Sequence, residues 1–257
     1  MASKLLPSRL SLFLLLVLCG SIAAYALFKS VAAGVVALAA FLALVFKDVM
    51  PSEAGGKGLK NALKEVVVAF AAAVAAWVVL CVVLQTASPI DVVTSCSMVP
   101  VLERGDLIVL QGGTISVPTV KYSGALPQIK VHSSPCVISK GNESLRSFCA
   151  SSLEVGGQVF SFNSSNDVVV YAAKPESYGL IVHRAWLRLE NEEGKAVLVT
   201  KGDNNQFFDA QAGISLPSDE EVHGKMILRV PFVGFLKLFL FGQFAEPPGC
   251  DQRVTYS

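Results

Sequence analysis

Three stretches of the chain carry no charged residue: Leu10–Phe28, Ser30–Phe46 and Val66–Ile90, of 19, 17 and 25 residues. A helix rises about 1.5 Å per residue, so about 20 residues cross a hydrocarbon core about 30 Å thick. The pattern predicts an N-terminal anchor over residues 1–90 with about three transmembrane helices, near 10–28, 30–46 and 66–88. The second is at the short limit and rich in Ala and Val. The first run also fits a cleavable signal peptide, with Lys4 and Arg9 ahead of it and Ala24-Tyr25-Ala26 as a small-x-small site. Two more apolar runs follow at once, which favours a retained helical hairpin.

From residue 91 to 257 the period shortens. Apolar and branched residues alternate or cluster in "DLIVLQ", "QVFSF", "DVVVYAA", "GLIVHRAWLRLE", "KAVLVT" and "KMILRV". Turn-forming residues separate them: Gly105-Asp106, Gly112-Gly113, Asn163 to Asp167, "NEEGK" and "GDNN". This predicts a mainly β domain over 91–257, with "WLRLENEEGKAVLVT" as a hairpin and no amphipathic helix. Residues 111–157 are low in charge and rich in Ser, Gly and Pro, and read as an insertion. The tail 226–244, "MILRVPFVGFLKLFLFGQF", is apolar but holds Arg229, Pro231 and Lys237. A basic residue at the bilayer centre costs about 2.5–3.5 kcal/mol on insertion scales, so the tail reads as a strand followed by a membrane-proximal segment. A fourth span is the alternative.

Composition agrees with an anchored protein. The hydrophobic fraction is 53% and the mean hydropathy +0.55, too apolar for an ordinary soluble domain. A net charge of +1 suggests no nucleic-acid partner. Lys4 and Arg9 precede the first run, and Lys47, Lys57, Lys60 and Lys64 crowd the loop 47–65. The positive-inside rule places both in the cytoplasm, so the expectation is a multi-pass protein of the cell membrane with its β domain extracytoplasmic. The six cysteines fit that side. Cys19 and Cys81 fall in membrane runs, whereas Cys136 and Cys149 flank a Gly-Asn turn and are expected to form a disulfide. Two sequons, Asn142-Glu143-Ser144 and Asn163-Ser164-Ser165, fall on the same side. No C-x-x-C pair exists and the histidine spacing is wrong for zinc, so no metal and no cofactor is expected.

Candidate chemistry gathers in "SCSMVPVLERGDLIVL", Ser95–Leu110. In an extended chain Ser95 and Ser97 share a face and Cys96 points away. Cys96 is the more nucleophilic atom type but needs a base on its own side. Each of the three, alone, also reads as a solvated loop residue. A base could come from His132, His183 or His223. His183 lies inside the strand-like "GLIVHRAW", where a polar side chain needs a partner. Asp203 and Asp209 in "TKGDNNQFFD" could orient a base histidine, or could simply build a turn.

Taken together, "SCSMVPVLERGDLIVL", "DVVVY", "IVHRAW" and "TKGDNNQFFD", in that order after an anchor, resemble type I signal peptidases of the archaeal and endoplasmic-reticulum branch. The resemblance covers about 45 residues in four blocks. It implies a signal-peptidase-like antiparallel β fold and a membrane-bound serine endopeptidase that removes signal peptides from exported preproteins. It implies Ser97 as nucleophile, His183 as general base, Asp209 orienting the histidine and Asp203 as a supporting carboxylate. The Ser95 hydroxyl and the Ser97 backbone N–H would form the oxyanion hole, and Met98 and Pro100 would lie near shallow substrate pockets. Implied partners are signal-peptide-bearing preproteins, the lipid bilayer and, nearby, the protein-export translocon. Cys96 and Val99 replace the usual Gly and the frequent Glu, and Asn166 stands where Gly normally precedes Asp167. The 86 residues from Ser97 to His183 exceed the usual spacing, which the 111–157 insertion explains. Two other readings remain open: a Ser–Lys peptidase using Lys174 or Lys201, and a non-catalytic β domain at the cell surface.

Overall fold

The computed structural model describes residues 9–28, 36, 39, 40, 43 and 56–256. The chain divides into two compact units. One comprises the chain up to residue 80 together with Phe235–Phe244, and the other comprises Cys81–Gly234 with Ala245–Ser257. The expected second span (30–46), apart from four helical positions, and residues 47–55 of the basic loop lie outside the described residues.

The first unit is helical. Helix α1 spans Arg9–Phe28 and α2 begins at Gly56 and runs to Leu84. Among the described residues one helical stretch, Leu63–Leu84, is long and apolar enough to cross a membrane; the apolar part of α1, Leu10–Ser21, is shorter. Among the described residues there is thus one candidate span, where about three were expected. The α2 helix stops four residues before the expected end at 88, because Gln85 takes a left-handed backbone (φ 53°). Gly112 N–H then caps the Leu84 carbonyl at 2.8 Å. A Cβ on Gly112 would lie 2.0 Å from the Gln85 carbonyl oxygen, so only glycine fits this contact.

The second unit is built from strands, as the alternation predicts. A seven-stranded, largely antiparallel sheet runs in the order β1 (Ile90–Val92), β2 (Leu107–Gln111), β10 (Val222–Val230), β7 (Val168–Ala172), β8 (Leu180–Asn191). Along one edge of β8, β7 pairs with its first half and β3 (Thr119–Tyr122) runs parallel to its last residues; β9 (Ala196–Lys201) pairs with the other edge. A four-stranded antiparallel sheet has the order β11 (Gln252–Tyr256), β4 (Lys130–Lys140), β5 (Glu143–Val155), β6 (Gln158–Ser161). The 111–157 insertion is therefore ordered. It supplies a long hairpin whose Leu153 and Val155 pack with Trp186, Leu187, Leu189, Val199 and Phe208. The turn at Gly141 takes positive φ (57°), as the Gly-Asn pair suggests. Cys136 and Cys149 are bonded across this hairpin, with Cα atoms 5.8 Å apart.

Two features depart from the expectation. A short helix, α3 (Phe235–Leu240), forms in the tail after β10, where no helix was expected. Cys96 is not a free thiol: it is bonded to Cys250, 154 residues away. Sequence spacing gives no sign of so distant a pairing.

Candidate active site

Strand alternation places the site. Val169 pairs with His183 and Tyr171 with Ile181, so Tyr171 and His183 lie on one face of the large sheet. Ala185 pairs with Thr200, which brings the β9 residue Thr200 to the same face. Asp209 opens a one-turn 3-10 helix just beyond β9 and closes the group. Tyr171, His183, Thr200 and Asp209 are all buried.

The hydrogen bonds form a chain. Ser97 Oγ lies 3.0 Å from His183 Nε2, and His183 Nδ1 lies 2.7 Å from Asp209 Oδ2. The same carboxylate oxygen accepts from Tyr171 Oη at 2.7 Å and Thr200 Oγ1 at 2.6 Å. Three groups converge on this one oxygen, and the imidazole is held with its Nδ1 toward Asp209 and Nε2 toward Ser97. Burial, and the charge of Asp209, push the Tyr171 hydroxyl well above its usual range, so it stays a donor.

Ser97 sits on a turn rather than in the extended segment expected. Val99 N–H bonds to Cys96 O at 3.4 Å and Leu102 N–H to Met98 O at 3.0 Å. Even so, Ser95 Oγ and Ser97 Oγ approach to 3.2 Å, while Cys96 joins Cys250. The turn after β9 supports this loop from below. Asn204 N–H donates to Ser97 O at 2.8 Å, and a Cβ on Gly202 would meet that oxygen at 2.7 Å.

Not every predicted residue reaches the centre. Asp203 is buried against Arg184, which grips it twice, Nε to Oδ1 at 2.9 Å and Nη2 to Oδ2 at 2.7 Å. Arg184 Nη1 also donates to the Ser164 and Asn166 carbonyls, so this pair ties the loop before β7 to the turn after β9. Met98 is fully enclosed in the core with Val93, Leu102, Ile108 and Leu110, so it cannot line a substrate pocket as expected. Pro100 is exposed on the turn but is not among the residues lining the cleft beside Ser97. That cleft, about 480 Å³, is lined instead by Ser95, Ser97, Ile108, Val170, Val182 and His183, among others.

The other candidate bases are placed elsewhere. His132 is exposed and bonded to Glu154 at 3.0 Å. His223 lies in β10, its carbonyl accepting from Thr86 Oγ1 at 2.6 Å. Lys174 is exposed and paired with Glu221, which raises its pKa. Lys201 is a surprise: the sequence places it at a polar turn, yet it is 2% exposed. Its ammonium donates to Gly202 O and lies over the rings of Trp186 and Tyr256. Burial lowers its pKa to about 8. Among the described residues, His183 and not Lys201 bonds Ser97.

Sequence reasoning named neither Tyr171 nor Thr200 as a site residue. Both stood in the quoted blocks, as a hydroxyl ending "DVVVY" and one opening "TKGD"; a polar group inside a core strand is the signal. The Arg184 partner of Asp203 was equally legible in "IVHR". No group of three or more His, Cys, Asp or Glu that could hold a metal occurs among the described residues.

No family model matches the chain. Among curated proteins it is similar to the signal peptidase complex catalytic subunit SEC11 of Saccharomyces cerevisiae, in strains YJM789, RM11-1a and JAY291. Identity is 27% over 175 residues, which cover 66% of this chain and 77% of each relative. This similarity agrees with the four blocks in order, which resemble the type I signal peptidases of the endoplasmic-reticulum and archaeal kind.

Proposed function

We propose that the protein is a membrane-bound serine endopeptidase that removes signal peptides from exported preproteins. The observation that carries the chemistry is the continuous Ser97–His183–Asp209 hydrogen-bond chain. His183 Nε2 takes the proton of Ser97 Oγ as that oxygen attacks the scissile carbonyl. The tetrahedral oxyanion is held by the Ser95 hydroxyl and the Ser97 N–H. His183, now cationic beside Asp209, returns its proton to the leaving amine. Water then attacks the acyl-Ser97 ester, giving its proton to His183, and the free serine is restored. Asp209 keeps the imidazole oriented throughout and stabilises its cationic form.

The lysines at the N-terminal end of α2, Lys57, Lys60 and Lys64, support a cytoplasmic N-terminal side and an extracytoplasmic β domain, near the membrane and the export machinery. Both disulfides of the β domain favour the same side, since such bonds persist in oxidising compartments. A lysine base has one observation in its favour, the lowered pKa of Lys201. Its ammonium is directed at the Gly202 carbonyl and two rings, which leaves His183 as the group in reach of Ser97.

The test is cleavage of a preprotein by detergent-solubilised full-length protein, with the cut mapped by mass spectrometry. Ser97→Ala and His183→Ala should each abolish cleavage while circular dichroism stays native; Lys201→Met and Lys174→Ala should retain it. Full activity in His183→Ala, or loss in a folded Lys201→Met, would reverse the assignment of the base.

A further inference from the structure

The C-terminal residues 250–254 hold the nucleophile loop from behind. Cys250 is bonded to Cys96, the residue between Ser95 and Ser97. Asn204 adds a second fastening. Its side-chain Nδ2 donates to Cys96 O at 3.1 Å and to Gln252 O at 2.9 Å. Its Oδ1 accepts the Val254 N–H at 2.9 Å, and its own N–H donates to Ser97 O at 2.8 Å. Asn204 is 6% exposed, and every polar atom of its amide is used. It bonds neither Ser97 Oγ nor Asp209, so the catalytic chain does not account for it.

One amide therefore ties three segments together: the nucleophile loop, the turn after β9 and strand β11. Strand β11 is in turn fixed along β4 from Lys140 to Cys136, and Tyr256 Oη donates to Ala150 O at 2.8 Å. The brace thus ends on the core of the small sheet. Among the described residues the short turn that carries Ser97 has two internal backbone hydrogen bonds and the Ser95–Ser97 hydroxyl contact, and the brace adds the ties that reach the Cys96 and Ser97 carbonyls.

We propose that Asn204 is a positioning residue for Ser97, and that the C-terminal strand, fastened by Cys96–Cys250, is an integral brace of the active site. This rests on Ser97 being the nucleophile. A displacement of about 1 Å at a reacting atom costs on the order of 10²-fold in rate, so loosening the loop should lower kcat while leaving substrate binding almost unchanged.

The experiment uses full-length protein in detergent. Asn204→Asp keeps the shape but sets a carboxylate against two carbonyls where an amide donated. Cys250→Ser removes the covalent fastening and leaves Asn204 intact. Each is measured for kcat and KM on a preprotein, and for amide exchange by mass spectrometry over residues 95–102, where the Val99 and Leu102 amides report loop order. Lys195→Ala, which removes an exposed ion pair with Glu193 that is no part of the brace, is the control. Both brace variants should lose about 10- to 100-fold in kcat with KM within about twofold, and should exchange faster at 95–102 but not in β7 to β9. The control should keep the wild-type kcat. Unchanged exchange at 95–102 in both variants overturns the brace whatever their activity, and faster exchange with unchanged kcat overturns its positioning role. Wild-type protein that cuts no preprotein overturns the proposed function alone, since the exchange data still decide the brace.

Discussion

Asp203 and Asp209 share one turn yet hold different partners, and their environments assign them different work. The Asp209 carboxylate meets the imidazole, a phenol and a hydroxyl; the Asp203 carboxylate meets the Arg184 guanidinium. Asp209→Asn should leave the fold intact and cut kcat by about 10⁴-fold, because an amide can present Nδ2–H to the imidazole and favour the wrong tautomer. Asp203→Asn strands a buried Arg184, which should cost about 3–5 kcal/mol of stability, with turnover of the folded fraction within about tenfold of wild type. Steady-state kinetics beside urea unfolding separate the two outcomes. A dead but stable Asp203→Asn would reverse the roles. Lys201 adds a pH test. Its folded pKa, about 8, lies below the ordinary lysine value of about 10.5. The unfolded chain therefore binds more protons between those values, and unfolding free energy should rise with pH from about 8 upward. Above about pH 10 ionisation of tyrosines in the unfolded state opposes this, because folded Tyr171 resists ionisation. Urea unfolding at pH 7.5 to 9.5 should show the rise in wild type and lose it in Lys201→Met. The proposed catalytic residues, Ser97, His183 and Asp209, are legible because each sits in a short local block. The surroundings of Lys201 and Met98 are not, because burial is a property of the assembled sheets; Lys201 stands in the turn block "TKGDNN", and Met98 was expected beside a substrate pocket.

Strand periods set the elements, and turns set their ends. The alternation in "GLIVHRAWLRLE" and "KAVLVT" is the two-residue period that brings His183 and Thr200 to one face. The hairpin of residues 111–157 was readable as an insertion but not as half of a second sheet, because β11, which completes it, pairs Gln252 with Lys140 of β4, 112 residues earlier, and only tertiary contact fixes that pairing. Its disulfide was readable, since the cysteines flank a tight turn. In the chain-entropy model a loop of about 15 residues gives about 3 kcal/mol, so Cys136→Ser/Cys149→Ser should lower the unfolding free energy by roughly that amount. Equal stability with and without the bond would mean that the hairpin is held by its ladder and by Leu153 and Val155 alone. Gly202 tests the next element along. A methyl group there would press on the Ser97 carbonyl at 2.7 Å, so Gly202→Ala should lower kcat by more than tenfold through the nucleophile loop. Wild-type turnover in a folded Gly202→Ala would show that the turn yields without moving Ser97.

At the scale of the whole molecule, charge and redox chemistry argue for one topology by separate routes. Lys57, Lys60 and Lys64 stand at the N-terminal end of the α2 helix, whereas no basic residue follows its end at Leu84 until Arg104. The excess within about 15–20 residues of a span biases its orientation, which supports the proposed cytoplasmic placement of the end carrying these lysines. Nothing in that count involves cysteine. Yet both disulfides, Cys96–Cys250 and Cys136–Cys149, lie beyond the other end of α2, where an oxidising compartment would preserve them. The free cysteines, Cys19 and Cys81, fall in the helices. The expected outcome is that protease added outside intact cells or spheroplasts digests the β domain and spares an epitope placed at residues 47–55. Material taken from its native membrane with thiols blocked should show both disulfides by non-reducing peptide mapping. A protected β domain with an accessible 47–55 epitope would invert the topology, and would place the Ser97–His183–Asp209 group on the wrong side to meet a signal peptide after export.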